Sequence, residues 1–545
     1  SMTALIEALR GRFSRRRRIA RNRIMIALAT AALLGSAALL LIRPGVSAVD
    51  CRAATDSIDE IWGETQASSL RAVFRKAGGQ EAFKAAESVV GSFDRLAEGW
   101  KVERLDACEA THRRREQSDR LLDRRMSCLR QRQHELGVLL AELKAPDAAT
   151  LENASQAASA LAESPLCRGM AWMPAEVDPA ALQAQEVLSQ AWILLALGKA
   201  DRTTALLDTL SADSLESTAY GPELLELRAR VDYRASKWKS ASEQFEAAGL
   251  MAAEAGHTAT MLRAWVGWLG AGARLNDKQQ AMIRVLPIIE TMALGAAEEL
   301  PFLMVDFLVA AGALYITANL PAEGLAYYEK AMSTAKQVGR THPAATSIIV
   351  DGMGVSLLAL GRIHEALTRF EQALVLEQSF TTPNNPSLAV SHCHLAEAYA
   401  QLGNYEATAA QASLALSIYR NALGERHPSS RVSLSLLGVA EMELGLFKLA
   451  QLHLETALEI SREGSHGGFK IERRVLEKLS QLHLLTGDTE RAMDYAKEVA
   501  QFVALHSTGD ASELVGAHRV MGMALEASGD LLAARRELEL AVAAA

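Results

Sequence analysis

Apolar and small residues along most of this chain follow two superposed periods. Within short windows they return every three or four residues, the spacing of one helix face. Across windows the pattern returns every 42 residues, marked by Gly361, Gly403, Gly445, Gly487 and Gly529. Nine residues after each Gly stand Phe370, Ala412, Leu454, Ala496 and Leu538. Twelve after stand Ala373, Ala415, Ala457, Val499 and Ala541, and eight before stand Met353, Leu395, Leu437, Leu479 and Met521. A Gly between two helical patterns is where a helix ends in the left-handed conformation. Each unit therefore predicts two antiparallel helices joined at the Gly. Asn319 takes the Gly position one unit earlier, with Ala311-Gly312, Tyr315, Tyr328 and Ala331 in register. Farther back the register slips, but Leu269-Gly270 before Asn276-Asp277, then Trp238, Ala241 and Phe245, and Gly198 mark further units. The expectation is an all-α solenoid of seven to nine units between about residues 180 and 545, each burying its apolar face on the next. The last unit stops inside the helix after Gly529 with no polar cap, so fraying or one further helix is expected there.

This alternation of small and large residues on paired helices resembles the tetratricopeptide repeat, lengthened from its usual unit by roughly one turn per helix. The 42-residue length resembles the repeats of kinesin light chains, as do the linkers Leu423-Gly424-Glu425-Arg426-His427-Pro428 and Thr341-His342-Pro343. Those repeats often place an Asn pair in the first helix that clamps a peptide backbone. The matching positions here hold His394 and Leu436, so that clamp is not expected.

The N-terminus has a different pattern. Ile24 to Ile42 is a run of 19 residues without a charge or Pro, nearly long enough as a helix to span the hydrocarbon core. Residues 1–23 carry eight Arg against the single acid Glu7. The total charge is −8, so the remainder carries −15. Arg before the run and only Arg43 close after it place the N-terminus in the cytoplasm and everything beyond about residue 45 outside. A retained span through 24–42 is the reading preferred. A cleaved signal peptide ending near Val46-Ser47-Ala48 is the rival, and both export the rest. The acidic remainder argues against a nucleic-acid partner.

Four of the five cysteines, Cys51, Cys108, Cys128 and Cys167, lie soon after this run, where an exported compartment permits disulfides. Residues 54–77 read as a helix broken by Gly78-Gly79, residues 80–143 as one or two long charged helices, and 148–164 as another. Residues equidistant from a helical turn face each other. The midpoint of 51 and 108 falls on the Gly pair, and that of 128 and 167 just past Pro146. The expected bonds are therefore Cys51–Cys108 and Cys128–Cys167, four free core thiols being the alternative. Cys393 is expected to stay unpaired.

Residues 51–170 thus form a helical membrane-proximal module, and it carries a second resemblance. Trp100, Arg104, Ala107-Cys108, Ala110-Thr111, Glu116-Gln117-Ser118, Leu121-Leu122-Asp123, Arg125-Met126 and Cys128-Leu129 resemble the stretch outside the membrane in bacterial transmembrane serine/threonine protein kinases with tetratricopeptide arrays. Cys167-Arg168-Gly169 departs from the acidic residue expected in that family. Ser1-Met2, Leu5-Ile6 and Ala8-Leu9 resemble the end of such a kinase domain, although Ser-Met is also a common cloning remnant. The resemblance implies the outer half of a membrane-anchored kinase. ATP and Mg would then belong to a kinase domain upstream, with no cofactor in this chain. An exported tetratricopeptide adaptor for envelope assembly, with no kinase, is the other reading; an enzyme hidden in residues 52–180 is a third.

No phosphate-binding loop or kinase catalytic signature is present in the sequence. His392-Cys393-His394 invites a metal reading, but His at i and i+2 on a helix point to different faces. His112-Arg113-Arg114-Arg115 reads as a solvated face. The functional surface is expected to be the concave groove, walled by first-helix positions Asp351, Glu397, Glu443, Glu477, Gln481 and Arg519. These are mostly acidic, which favours a basic or amphipathic peptide as the partner. A homodimer in the inner membrane, its repeats outside the cytoplasm, completes the expectation.

Overall fold

The computed structural model describes residues 51, 53–162, 167, 179–210, 220–275, 278–297, 300–339, 343–463, 469–506 and 511–544. The basic segment 1–23 and the span expected at 24–42 lie outside these residues. Among the described residues no helix is long and apolar enough to cross a membrane, and none lies in a strand.

The module opens with a 3-10 turn, Ala53–Ile58, and three helices follow: α1 (Glu64–His112), α2 (Asp119–Leu143) and α3 (Ala148–Ala162). The helix expected from residue 54 begins ten residues later, because the chain turns first at Asp59–Gly63. Gly78 and Gly79 break α1 as expected, Gly79 with φ 65°. The long charged stretch divides after His112, where Ser118 caps α2 by accepting from Leu121 N. Two disulfides staple these hairpins, Cys51–Cys108 and Cys128–Cys167, with Cα–Cα distances of 5.7 and 5.8 Å. Both pairings follow the midpoint geometry. Arg114 of the basic run pairs with Asp106 at 2.6 Å and Glu116 at 2.7 Å, and Arg113 with Glu109 at 3.0 Å, all at exposed or half-exposed positions.

The repeat region supplies nine helix pairs among the described residues. They are α4 (Pro179–Ala196) with α5 (Ala200–Leu207), α6 (Gly221–Arg234) with α7 (Trp238–Glu254), and α8 (Thr258–Gly272) with α9 (Gln279–Ala296). Then come α10 (Pro301–Thr317) with α11 (Pro321–Gln337), α12 (Pro343–Ala359) with α13 (Ile363–Gln378), and α14 (Pro386–Gln401) with α15 (Tyr405–Leu423). Last are α16 (Ser430–Glu443) with α17 (Phe447–Glu463), α18 (Phe469–Leu485) with α19 (Thr489–His506), and α20 (Ala511–Ala527) with α21 (Leu531–Ala544). Even-numbered helices are thus the first of each pair.

The turns explain the 42-residue signal. Gly361, Gly403, Gly445, Gly487 and Gly529 have φ between 72° and 87°, and Asn319 stands at 63° in the same role. After each, a backbone N–H returns to a carbonyl five residues earlier, as Arg362 N donates to Leu357 O at 2.9 Å and Asp488 N to His483 O at 2.9 Å. The small-and-large pattern is volume complementarity between the two helices of a pair. Where the second helix offers Phe370, Leu454 or Leu538, the first has Gly354, Gly438 or Gly522, and a Cβ added there would lie 2.5, 2.7 or 2.7 Å from the facing side chain. Where the second helix offers Ala412 or Ala496, the first has Ala396 or Ser480 in the same register. Close packing of this kind tolerates little change in volume.

The module and the array share a core. Ile193 of α4 and Leu197, just after it, belong to the module's apolar core with Leu136, Leu139 and Leu161. Lys199 bonds Glu142 at 2.7 Å. The array also curls back on the module, since Asn385 Nδ2, before α14, donates to the Glu152 carbonyl of α3 at 2.8 Å across 233 residues of sequence.

Candidate functional site

One face of each even-numbered helix is left uncovered by its neighbours. On α12 it carries Ile348, Asp351 and Val355; on α14 Val390, His394 and Glu397; on α16 Val432, Val439 and Glu443; on α18 Arg474, Lys478 and Gln481; on α20 Arg519. Side chains converge across this face. His394 Nδ1 of α14 lies 2.8 Å from Asp351 Oδ1 of α12. Arg474 Nη1 of α18 lies 3.5 Å from Glu397 Oε1 of α14, passing over α16 to a helix two repeats away. Helices two units apart meet tip to tip only on the inside of a curve, so this face is the concave one. The same holds upstream, where Arg263 of α8 approaches Glu223 of α6 at 3.6 Å, and the charge of Asp306 on α10 acts on Arg230 of α6.

Asp351 and Glu397 take part in these contacts and Glu443, Gln481 and Arg519 are not buried, but Glu477 is buried and bonded to Arg473. The groove is not acidic. Arg474, Lys478 and Arg519 alternate with the acids, and Ile348, Val390 and Val432 lie among them. Arg519 was among the expected wall residues, but Arg474, Lys478 and the apolar positions were passed over, although the same 42-residue register reaches Arg474 from Ile348, Val390 and Val432. His394 does not stand in for a backbone-clamping Asn, since Asp351 engages its ring and Phe370 packs beside it with centroids 5.3 Å apart. Leu436 is buried in the core.

Behind the groove wall lies a second acid that sequence reading passed over. Glu377 of α13 is 8% exposed and accepts from Ser391 Oγ at 2.7 Å. Burial pushes its carboxyl up to about 7, with Asp351 adding to the rise and the Ser391 bond and His394 opposing it. Burial would lower the His394 imidazole, but Asp351, Glu397 and Glu377 outweigh it and hold the ring above its ordinary range. Burial lowers the Lys478 ammonium, as does neighbouring Arg519, against the pull of Glu443 and Glu477.

Glu377 binds its proton more tightly folded than unfolded, so its contribution to stability is fully present below the ordinary carboxylate range near 4.5 and is lost as pH rises through about 7. His394, also raised, acts in the same direction at higher pH. Glu377→Gln keeps an acceptor for Ser391 and removes the titration. It is expected to melt above the parent at pH 8, with the difference closing by pH 5; a difference independent of pH counts against a titrating Glu377.

The central triplet holds no ligand set. His392 Nδ1 turns to Gln411 at 2.6 Å on α15 while His394 turns to α12. Burial, then Glu397, pushes the Cys393 thiol up to about 12. Among the described residues no group of three His, Cys, Asp or Glu side chains could hold a metal.

Paired helices stacked into a curve, with a polar inner wall and packing carried by small residues, define an α-solenoid of helical repeats. Residues 345–421 and 387–463 each match the family model described as Tetratricopeptide repeat, so the chain contains tetratricopeptide repeats there. No curated protein matches the chain. Among solved structures, BtubC (BKLC) from P. vanneervenii is 20% identical over 40% of this chain and 89% of its own, with a TM-score of 0.34. A putative kinesin light chain from Podosopora anserina with nearly identical TPR-like repeats is 20% identical over 37% and 96%, with a TM-score of 0.32. The apo form of the quorum sensor NprR from B. thuringiensis is 12% identical over 67% and 99%, with a TM-score of 0.47.

Proposed function

We propose that this chain is the extracytoplasmic, protein-binding region of a membrane-anchored serine/threonine protein kinase, with the membrane reached through residues 24–42 and the catalytic domain encoded outside these 545 residues. A protein or peptide entering the groove would change the orientation or pairing of two copies, and so the activity of the attached kinase. The observation that carries the binding part is the convergence of Asp351, His394, Glu397 and Arg474 from three helices on one concave wall. Such a wall offers a peptide paired charges and apolar contacts without a reactive centre. Two disulfides fit an exported compartment. The kinase part rests on the resemblance of residues 100–129 and on the Arg-rich segment before the apolar run.

The test is a random peptide library selected on the purified chain. Enriched peptides are expected to bind at least about tenfold more weakly, a difference of about 1.4 kcal/mol, to a folded Asp351→Arg, Glu397→Arg variant. Leu452→Arg, on the outer helix α17, should leave binding unchanged. Peptides indifferent to residues 351 and 397 would contradict a groove ligand.

A further inference from the structure

The groove carries a ladder that its charges conceal. Ile348 on α12, Val390 on α14 and Val432 on α16 stand 42 residues apart, at the same level of three consecutive first helices. Ile348 is 49% and Val390 42% exposed, and Val432 is half-buried. Two turns farther along α12 and α16, half-buried Val355 and Val439 widen the strip. In the same register the column begins at Asp306 on α10 and ends at Arg474 on α18. The charges of both act across the concave face, on Arg230 and Glu397 respectively, so the aliphatic residues between them lie on that face too.

Single exposed Val or Leu residues are ordinary and need no explanation. The outer helices show that ordinary case. Val375, Leu414 and Leu452 are 67%, 49% and 57% exposed, yet one repeat later the same positions hold Ser417, Thr456 and Asp494. On the inner face the register preserves the apolar residue through three repeats; exposed Leu360, Leu402 and Leu444 recur at the same spacing, but at the turn just before each repeat glycine.

We propose that this ladder binds an extended peptide segment with apolar side chains at every third residue, a basic residue toward Asp306 and an acidic residue toward Arg474. This deepens the groove reading above and rests on it. Spacing selects the conformation. Packed helices lie about 8–10 Å apart. A polyproline II chain presents the same face every three residues, at about 3.1 Å each, hence about 9 Å. A flat strand repeats its face every two residues, about 6.7 Å, and falls out of step by the third rung. A helix could place i and i+7 about 10 Å apart, but its diameter is about 10–12 Å with side chains. A chain that thick cannot pass without displacing Arg474, which reaches Glu397 at 3.5 Å over the intervening helix.

Two acetylated peptides of identical composition test this by fluorescence anisotropy on the whole chain. Both carry Lys at one end, Glu at the other and a Pro/Ser background; one has three Leu at every third position, the other at every second. The first is expected to bind at least about tenfold more tightly, since burying one such side chain is worth about that factor. Val390→Asp should remove most of that advantage, while Val375→Asp on α13 should not, and thermal melting confirms that both variants fold. Equal binding of the two peptides, binding of neither, or indifference to Val390→Asp overturns the ladder. Library peptides that need Asp351 and Glu397 but lack three-residue spacing would also overturn it, while leaving the groove as the binding site.

Discussion

Replacing Cys128 and Cys167 together by Ser is expected to destabilise the N-terminal helical module by about 4 kcal/mol. A bond closing 39 residues removes about that much loop entropy from the unfolded chain. Removing Cys51–Cys108, which closes 57, should cost slightly more on the same scale. The module leans on these bonds because its helices are long and heavily charged, and its core is shared with α4 of the array. Urea unfolding followed by circular dichroism should therefore show two transitions, because repeat arrays unfold in units set by neighbouring interfaces. Reductant should move the module's transition strongly. The array's transition should move less, and only as far as Ile193 and Leu197 couple them. A melt unchanged by reductant would show that the bonds stabilise nothing.

The second large effect is expected at Arg125. Its guanidinium reaches Glu103 at 3.1 Å, Asp106 at 2.7 Å and Gln117 at 3.0 Å, joining α1 to α2 beside the Cys108 and Cys128 bonds. Both the Arg125 and Glu103 side chains are buried. Arg125→Met leaves the Glu103 charge in the core without its guanidinium, a loss of about 3–5 kcal/mol. Arg125→Met with Glu103→Leu removes both charges and should recover most of that, because an apolar pair can fill such a site at little net cost. Chemical denaturation of the two single variants and the double separates the cases. A double variant as unstable as the sum of the singles would show that the pair is not coupled.

The repeat region was legible because its signals are local and recur. Gly361 and its equivalents are needed for a positive φ at every turn, and Gly354 facing Phe370 is a contact inside one helix pair. The disulfides were legible from symmetry about Gly78-Gly79 and Pro146. The break between α1 and α2 was left open because it depends on tertiary partners. Gln117 reaches back to the Ala107 carbonyl at 2.8 Å and across to Arg125, and no periodicity reports that. The early repeats slipped because α5 has eight residues where α13 has sixteen. On the wall, register singled out Asp351 and Glu397, but not the partners they meet, His394 and Arg474. Arg474 meets Glu397 only because the array curves, and curvature accumulates from packing angles that one repeat's sequence does not display. Glu377 sits on a second helix and reaches the groove wall only through Ser391.

The central claim is that ligands bind on the concave wall, and photo-crosslinking tests it most directly. A library-selected peptide carrying one benzophenone is bound to the whole chain, irradiated, and mapped by mass spectrometry. The prediction is attachment on α12, α14, α16 and α18, clustered around Ile348, Val390, Val432 and Glu397. Attachment confined to the outer helices α13, α15 and α17, or to the module at residues 53–162, would contradict it.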